Sequence, residues 1–212
     1  VNTERLYLCV LAAPDKYNRN AWDDDETNDE QWPYRVKFSG TDLLGNVTIP
    51  EGDPTDVETS LEVSLDASSE SYPLHTFNLL NEGVMQKIAV AFKMQPSEIA
   101  AATLDDATVK ADGFNGPAEG KIAVGLTNPD GKVSYAYSAN GIGFWIAADG
   151  TASSWGDTPI YYEYDASGYG LTVGHNPGHS EKSKTYIIKP TMVYNKGGKL
   201  HKAVITIKMK FA

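Results

Sequence analysis

"KAVITIKMKFA", residues 202–212, decides the fold. Ala203, Ile205, Ile207, Met209 and Phe211 alternate strictly with Lys202, Thr206, Lys208 and Lys210, broken only by Val204. A period of two puts the first set on one face of a β-strand and the second on the other. The apolar face must be covered and the lysine face solvated, as in an antiparallel sheet with one dry side. The same alternation recurs upstream. Tyr34, Val36 and Phe38 share a face in "YRVKF", and Leu61, Val63 and Leu65 in "LEVSL". Ile122, Val124 and Leu126 do so in "KIAVGL", and Val133, Tyr135 and Tyr137 in "KVSYAY". "NPDG" at 128–131, "ADG" at 148–150 and "NKGG" at 195–198 separate such runs, and their glycines supply the positive φ of tight hairpins. The expected class is mainly β: antiparallel, sandwich-like sheets.

One island has the other period. In "FNLLNEGVMQKIAVAFKMQPSEIAAA", residues 77–102, Val84, Ile88 and Phe92 form a helical stripe with Met85 and Ala89 beside it. After Gln95-Pro96, Ser97 can cap a second short helix that buries Ile99. A helix pair is therefore expected near residues 80–102. Helix, turn, helix faintly resembles peptidoglycan-binding LysM modules, but the long connector "TLDDATVKADGFNGPAEG" does not match their tight flanking strands. The polar stretch "DASSESYP", 66–73, is the candidate boundary between an N-terminal β segment (1–70) and a domain at 75–212; the two are either separate or packed as one unit.

Composition removes several functions. The 212 residues carry a net charge of −10, which disfavours nucleic acid and anionic membrane surfaces as partners. No apolar run is long enough to span a membrane. The single cysteine, Cys9 in "LYLCVLAA", makes no intrachain disulfide and reads as a buried strand residue. "WDDDETNDEQW", 22–32, concentrates six acidic residues; it reads as a solvated loop, because a calcium loop of the EF-hand type needs a glycine it lacks. His175 and His179 in "GHNPGH" sit in a Gly-Pro loop where nothing presets convergence on a metal, and no HExxH is present. No metal and no cofactor are expected. The chain opens at Val1 without an initiator methionine, which fits a trimmed exported protein.

The most specific segment is "NGIGFWIAADGTASSWGD", 140–157, with two of the four tryptophans. A two-residue Asp149-Gly150 loop would put Trp155 opposite Phe144, with Trp145 pointing the other way. A three-residue Ala148-Asp149-Gly150 loop would pair Trp145 with Ser153 and set Trp155 on the Trp145 face, opposite Gly143. Asp-Gly after an alanine suits either; the second is the working reading. Both indoles on one face would make a stacking platform for sugar rings, and Trp155, set among small polar residues, is expected to be the more exposed. The competing reading puts at least one indole in the core. In "YYEYD", Tyr162 and Tyr164 share an inward face with Ile160, while Tyr161, Glu163 and Asp165 face outward. The candidate ligand-binding set is Trp145, Trp155, Asp157, Tyr161, Glu163 and Asn140. Asp149, Asp157, Glu163 and Asp165 could also supply a glycosidase carboxylate pair, although any acidic protein offers such candidates. GxSxG, P-loop and dinucleotide fingerprints are absent, and no catalytic residue is assigned.

The order of features from about residue 75 to the end resembles the secreted-protein domain family of unknown function DUF4859, found in gut-dwelling Gram-negative bacteria. The matching pieces are "VMQKIAVAFKMQPSEI", "NGIGFWIAADGTASSWGD", "YYEYD", "VGHNPGH" and "KTYIIKPTMVYNKGGKLHKAVITIKM". Members often sit beside carbohydrate-active or lipoprotein segments. The resemblance thus implies a periplasmic or cell-surface location, with a lipid anchor in the precursor as one option. It implies no catalytic residue. Residues 1–70 resemble no family we can name. The expected function is an exported, non-catalytic binding or adhesion module for glycan. The alternatives are a surface-assembly protein that binds only protein and, third, a glycoside hydrolase.

Overall fold

The computed structural model of the protein describes residues 45–104, 116–135 and 142–212. The chain divides into two compact units, Val1–Asn46 and Val47–Ala212, and the elements below belong to the second. Cys9, the acidic run at 22–32, the alternation at 34–38, Tyr137 and Asn140 lie outside the described residues.

Strands dominate, at 46% of the described residues against 11% helix. The first sheet has the order β1-β11-β10-β3-β4, with β9 also paired to β11. Its strands are β1 (Val57–Leu65), β3 (Ile122–Thr127), β4 (Val133–Tyr135), β9 (Thr185–Ile188), β10 (Pro190–Lys196) and β11 (Lys199–Phe211). The second has the order β2-β8-β7-β5-β6. It consists of β2 (Pro73–Asn78), β5 (Ile142–Ile146), β6 (Ala152–Ser153), β7 (Ile160–Asp165) and β8 (Gly170–His175). Pairing is antiparallel except that β1 runs parallel to β11, from Val57 opposite Ala203 to Leu65 opposite Phe211. The stretch 66–73, read from the sequence as a candidate boundary, connects β1 to β2 within the one unit.

The alternation of β11 is realised: Ala203, Ile205, Ile207, Met209 and Phe211 are buried, and Lys208 and Lys210 are exposed. On that outer face Lys210 bonds Glu62 of β1, and the ammonium holds this carboxyl below its usual range. The inner face meets Phe77, Tyr162, Tyr164, Leu171 and Val173 of the second sheet in one core. A hydrogen bond joins the sheets through that core, the Tyr162 hydroxyl donating to the Gly125 carbonyl at 2.7 Å. Burial pushes the Tyr162 phenol far above its ordinary pKa, so it stays a donor.

The helix pair is α1 (Val84–Phe92) and α2 (Pro96–Ala102). Every residue of the expected stripe of α1 is buried, and Phe92 packs on Tyr194 of β10 with ring centroids 5.4 Å apart. Ser97 does not cap α2. Gln95 occupies the cap and Pro96 the first helical position, because proline has no N–H to leave unbonded there. Glu98 then reaches back to the Gln95 N–H at 2.6 Å. Residues 77–78, read as the start of the helical island, end β2 instead.

Removing only the hydroxyl that links the sheets, Tyr162→Phe, should lower stability by about 0.5–1.5 kcal/mol, the net contribution of one hydrogen bond. Urea denaturation checks this. A variant as stable as the parent would show that the cross-sheet bond contributes nothing.

Candidate functional site

The hairpin from β5 to β6 closes through the three-residue loop. Trp145 pairs with Ser153 and Ile146 with Ala152, and Gly150 has φ +91°. Asp149 accepts the Thr151 N–H at 2.9 Å, a bond that holds its carboxyl below the usual range. The outer edge of β6 is bonded from outside the sheet. The Asn128 side chain, from the "NPDG" turn, takes the Ala152 N–H at 2.8 Å.

The second half of the expected hairpin does not form. Gly143 pairs with Glu163 of β7, and Trp155 lies in a bend beyond β6 rather than opposite Gly143. The carbonyls that would extend the ladder are taken elsewhere. The Thr158 hydroxyl donates to the Ser154 carbonyl, and the Asn176 amide donates to that of Gly156, itself at φ +134°. The bend opens a cleft of about 390 Å³ bounded by Ala147, Ala148, Ser153, Trp155 and Asp157. Trp155 is 66% exposed, whereas Trp145 is half-buried, the order that the flanking residues lead one to expect. Neither indole belongs to the core cluster.

The outer face of the second sheet carries the rest. On β7, Ile160, Tyr162 and Tyr164 turn inward and Tyr161, Glu163 and Asp165 outward. Trp145 and Tyr161 are direct neighbours across β5 and β7, with rings 4.9 Å apart at 42°. Tyr72, just before β2, meets Trp145 edge-on at 6.2 Å. The Tyr72 carbonyl accepts the His175 N–H at 3.0 Å, which ties this residue to the end of β8. Tyr161 faces outward yet is only 6% exposed, so it supports the cluster more than it offers surface. Its ring lies over Gly174: a Cβ there would come within 2.5 Å of the ring and 2.1 Å of the Tyr72 carbonyl. Only glycine fits, which explains the glycine of "VGH". Sequence reasoning missed Tyr72, because the bulge between Pro73 and His75 hides its register.

The structure thus brings Trp145, Tyr161 and Glu163 onto one face, and places Trp155 and Asp157 in the adjoining cleft. Thr76 and Thr172, bonded to each other at 2.8 Å, continue the outer face beyond Glu163. Asn140 lies outside the described residues.

The histidines divide. His175, read as a loop residue, ends β8 with its ring fully buried against Phe211 and its Nδ1 2.7 Å from the Ser180 hydroxyl. His179 is exposed in the following turn. Among the described residues no three His, Cys, Asp or Glu side chains gather closely enough to hold a metal. Two carboxyls considered for acid catalysis are engaged in turns. Asp165 accepts from the Ser167 hydroxyl and N–H at 2.7 and 2.9 Å, and, like Asp149, is held below its usual range. A glycosidase general acid needs the opposite shift.

Two sheets around a shared core, with a helix pair on the first and an aromatic cluster outside the second, define a β-rich domain with an outward-facing aromatic surface. Residues 71–199 match the Domain of unknown function (DUF4859), and the chain belongs to that family. Residues 1–45, for which the sequence had suggested no family, match the Family of unknown function (DUF6055). Comparison with curated proteins and with solved structures returns no match. Among the described residues no helix is long and apolar enough to cross a membrane.

The Tyr161 phenol provides a test of the cluster. Burial, then the nearby Glu163 carboxylate, pushes its pKa up to about 12. A phenol whose folded pKa is raised stabilises fully below its unfolded value, ~10. That contribution is lost as pH rises through the folded value. Stability should therefore fall between pH ~10 and about 12, and Tyr161→Phe should shrink the fall. An unchanged alkaline profile in Tyr161→Phe would show that the phenol is freely solvated.

Proposed function

We propose that the second unit is a non-catalytic glycan-binding module of an exported protein. The observation that carries this reading is the cluster of Trp145, Tyr161 and Tyr72 on the sheet face that the core does not use. Sugar rings pack an apolar C–H face on indole and phenol rings, while their hydroxyls bond to polar groups at the rim. Such groups adjoin the cluster: Glu163 is exposed on the same face, and the Thr76 and Thr172 hydroxyls lie beyond it. The family resemblance, with its carbohydrate-active and lipoprotein neighbours, supports a periplasmic or cell-surface location.

The test pairs a broad glycan array with thermal melting. Wild-type protein should be retained on the array and Trp145→Ala should not. The stability cost should stay below the ~3–5 kcal/mol of a fully buried Trp→Ala, since this indole is outside the core. Wild-type protein that binds no glycan would sink the reading and leave a protein-only assembly role in its place. A variant that melts as low as a core mutant would remove the platform argument.

A further inference from the structure

Resting on the glycan reading, we infer that the ligand is an uncharged glycan chain of several sugars. It crosses the strands of the second sheet from Tyr72 and Trp145 to Trp155.

Trp145 stands on β5, and its cross-strand partner Ser153 on β6 also bounds the cleft that Trp155 walls. The aromatic cluster and the cleft are therefore one continuous surface, with a shared residue between them. The Tyr72 and Trp145 rings lie 6.2 Å apart, and Trp145 is one strand step, ~4.8 Å, from Ser153 of the cleft. A chain of sugars can stack on the Trp145 cluster and continue into the cleft that Trp155 walls. Trp155 is an exposed indole outside the core and makes no ring contact among the described residues. A second stacking position gives it a role that folding does not.

Residues 142–175, which supply β5 to β8 and the cleft, contain four carboxylates (Asp149, Asp157, Glu163 and Asp165) and no Lys or Arg. All four are exposed. β2 adds no cation beyond the exposed His75. A sulfated or uronate-bearing chain would bring like charge against these carboxylates, with no Lys or Arg in residues 142–175 to offset it. Neutral sugar hydroxyls, by contrast, donate well to carboxylates, since charge-assisted bonds are the stronger kind.

The experiment uses the full chain and an array of neutral α- and β-linked oligosaccharides of two to six sugars, alongside their sulfated and uronate-containing counterparts. Affinities for retained chains come from calorimetry. Binding should be confined to neutral chains and should strengthen about tenfold from disaccharide to tetrasaccharide. Trp155→Ala should abolish the gain from disaccharide to tetrasaccharide, with the melting temperature unchanged. Equal affinity for short and long chains, equal loss on both in Trp155→Ala, or preference for sulfated chains would each overturn the inference and leave glycan binding intact. Retention of no glycan by the wild type would instead overturn the parent reading, and this inference with it.

Discussion

The inner face of β11 sets what the rest of the domain can do. Five apolar side chains from Ala203 to Phe211 point one way along a strand paired on both sides, to β1 and to β10 and β9. Burying each of the larger ones is worth roughly 1.5–3 kcal/mol, so this face must be covered. The second sheet covers it with Phe77, Tyr162, Tyr164, Leu171 and Val173, and α1 closes the core with the stripe from Val84 to Phe92. Once Tyr162 is committed inward and bonded to Gly125, the period of two leaves Tyr161 and Glu163 no face but the outer one. A slip of one residue in β7 would exchange the two sets and strand the Tyr162 hydroxyl.

The candidate site is a by-product of that commitment, refined by turn chemistry. The Ala148-Asp149-Gly150 loop fixes Trp145 opposite Ser153 on the outer face. Gly174 then lets the Tyr161 ring lie flat on β8, and Trp145 rests on that ring. The bend after β6, held by Thr158 and Asn176, carries Trp155 away from the ladder and makes a cleft where the sequence suggested a flat pair. The result is a surface with aromatic groups along it and carboxylates around it. Two of those carboxylates, Asp149 and Asp165, are occupied in bracing turns rather than poised for proton transfer.

Much of this was legible because period carries most of the information in strands and helices. The faces of β11 and β7 and the α1 stripe follow from alternation and helical period, whereas Asp-Gly suited two loops, of which the preferred three-residue one forms. What escaped depended on partners remote in sequence. The parallel pairing of β1 with β11 joins residues more than a hundred positions apart, so "LEVSL" could not be assigned to the same unit as the terminal strand. Trp155 left its expected position because Asn176, twenty residues downstream of Gly156, competes for that carbonyl. His175 looked like a loop residue beside Asn-Pro-Gly, yet its own backbone completes β8 and its ring stacks on Phe211. Tyr72 was invisible because a β-bulge follows it.

The central claim is that the outward aromatic surface, and not another part of the domain, meets the glycan. Nuclear magnetic resonance of protein carrying ¹⁵N-labelled tryptophan tests it most directly, by titration with a neutral tetrasaccharide selected on the array. The account predicts that the Trp145 and Trp155 indole N–H signals shift together along one saturating curve. Saturable binding that leaves both the Trp145 and Trp155 signals in place would contradict it.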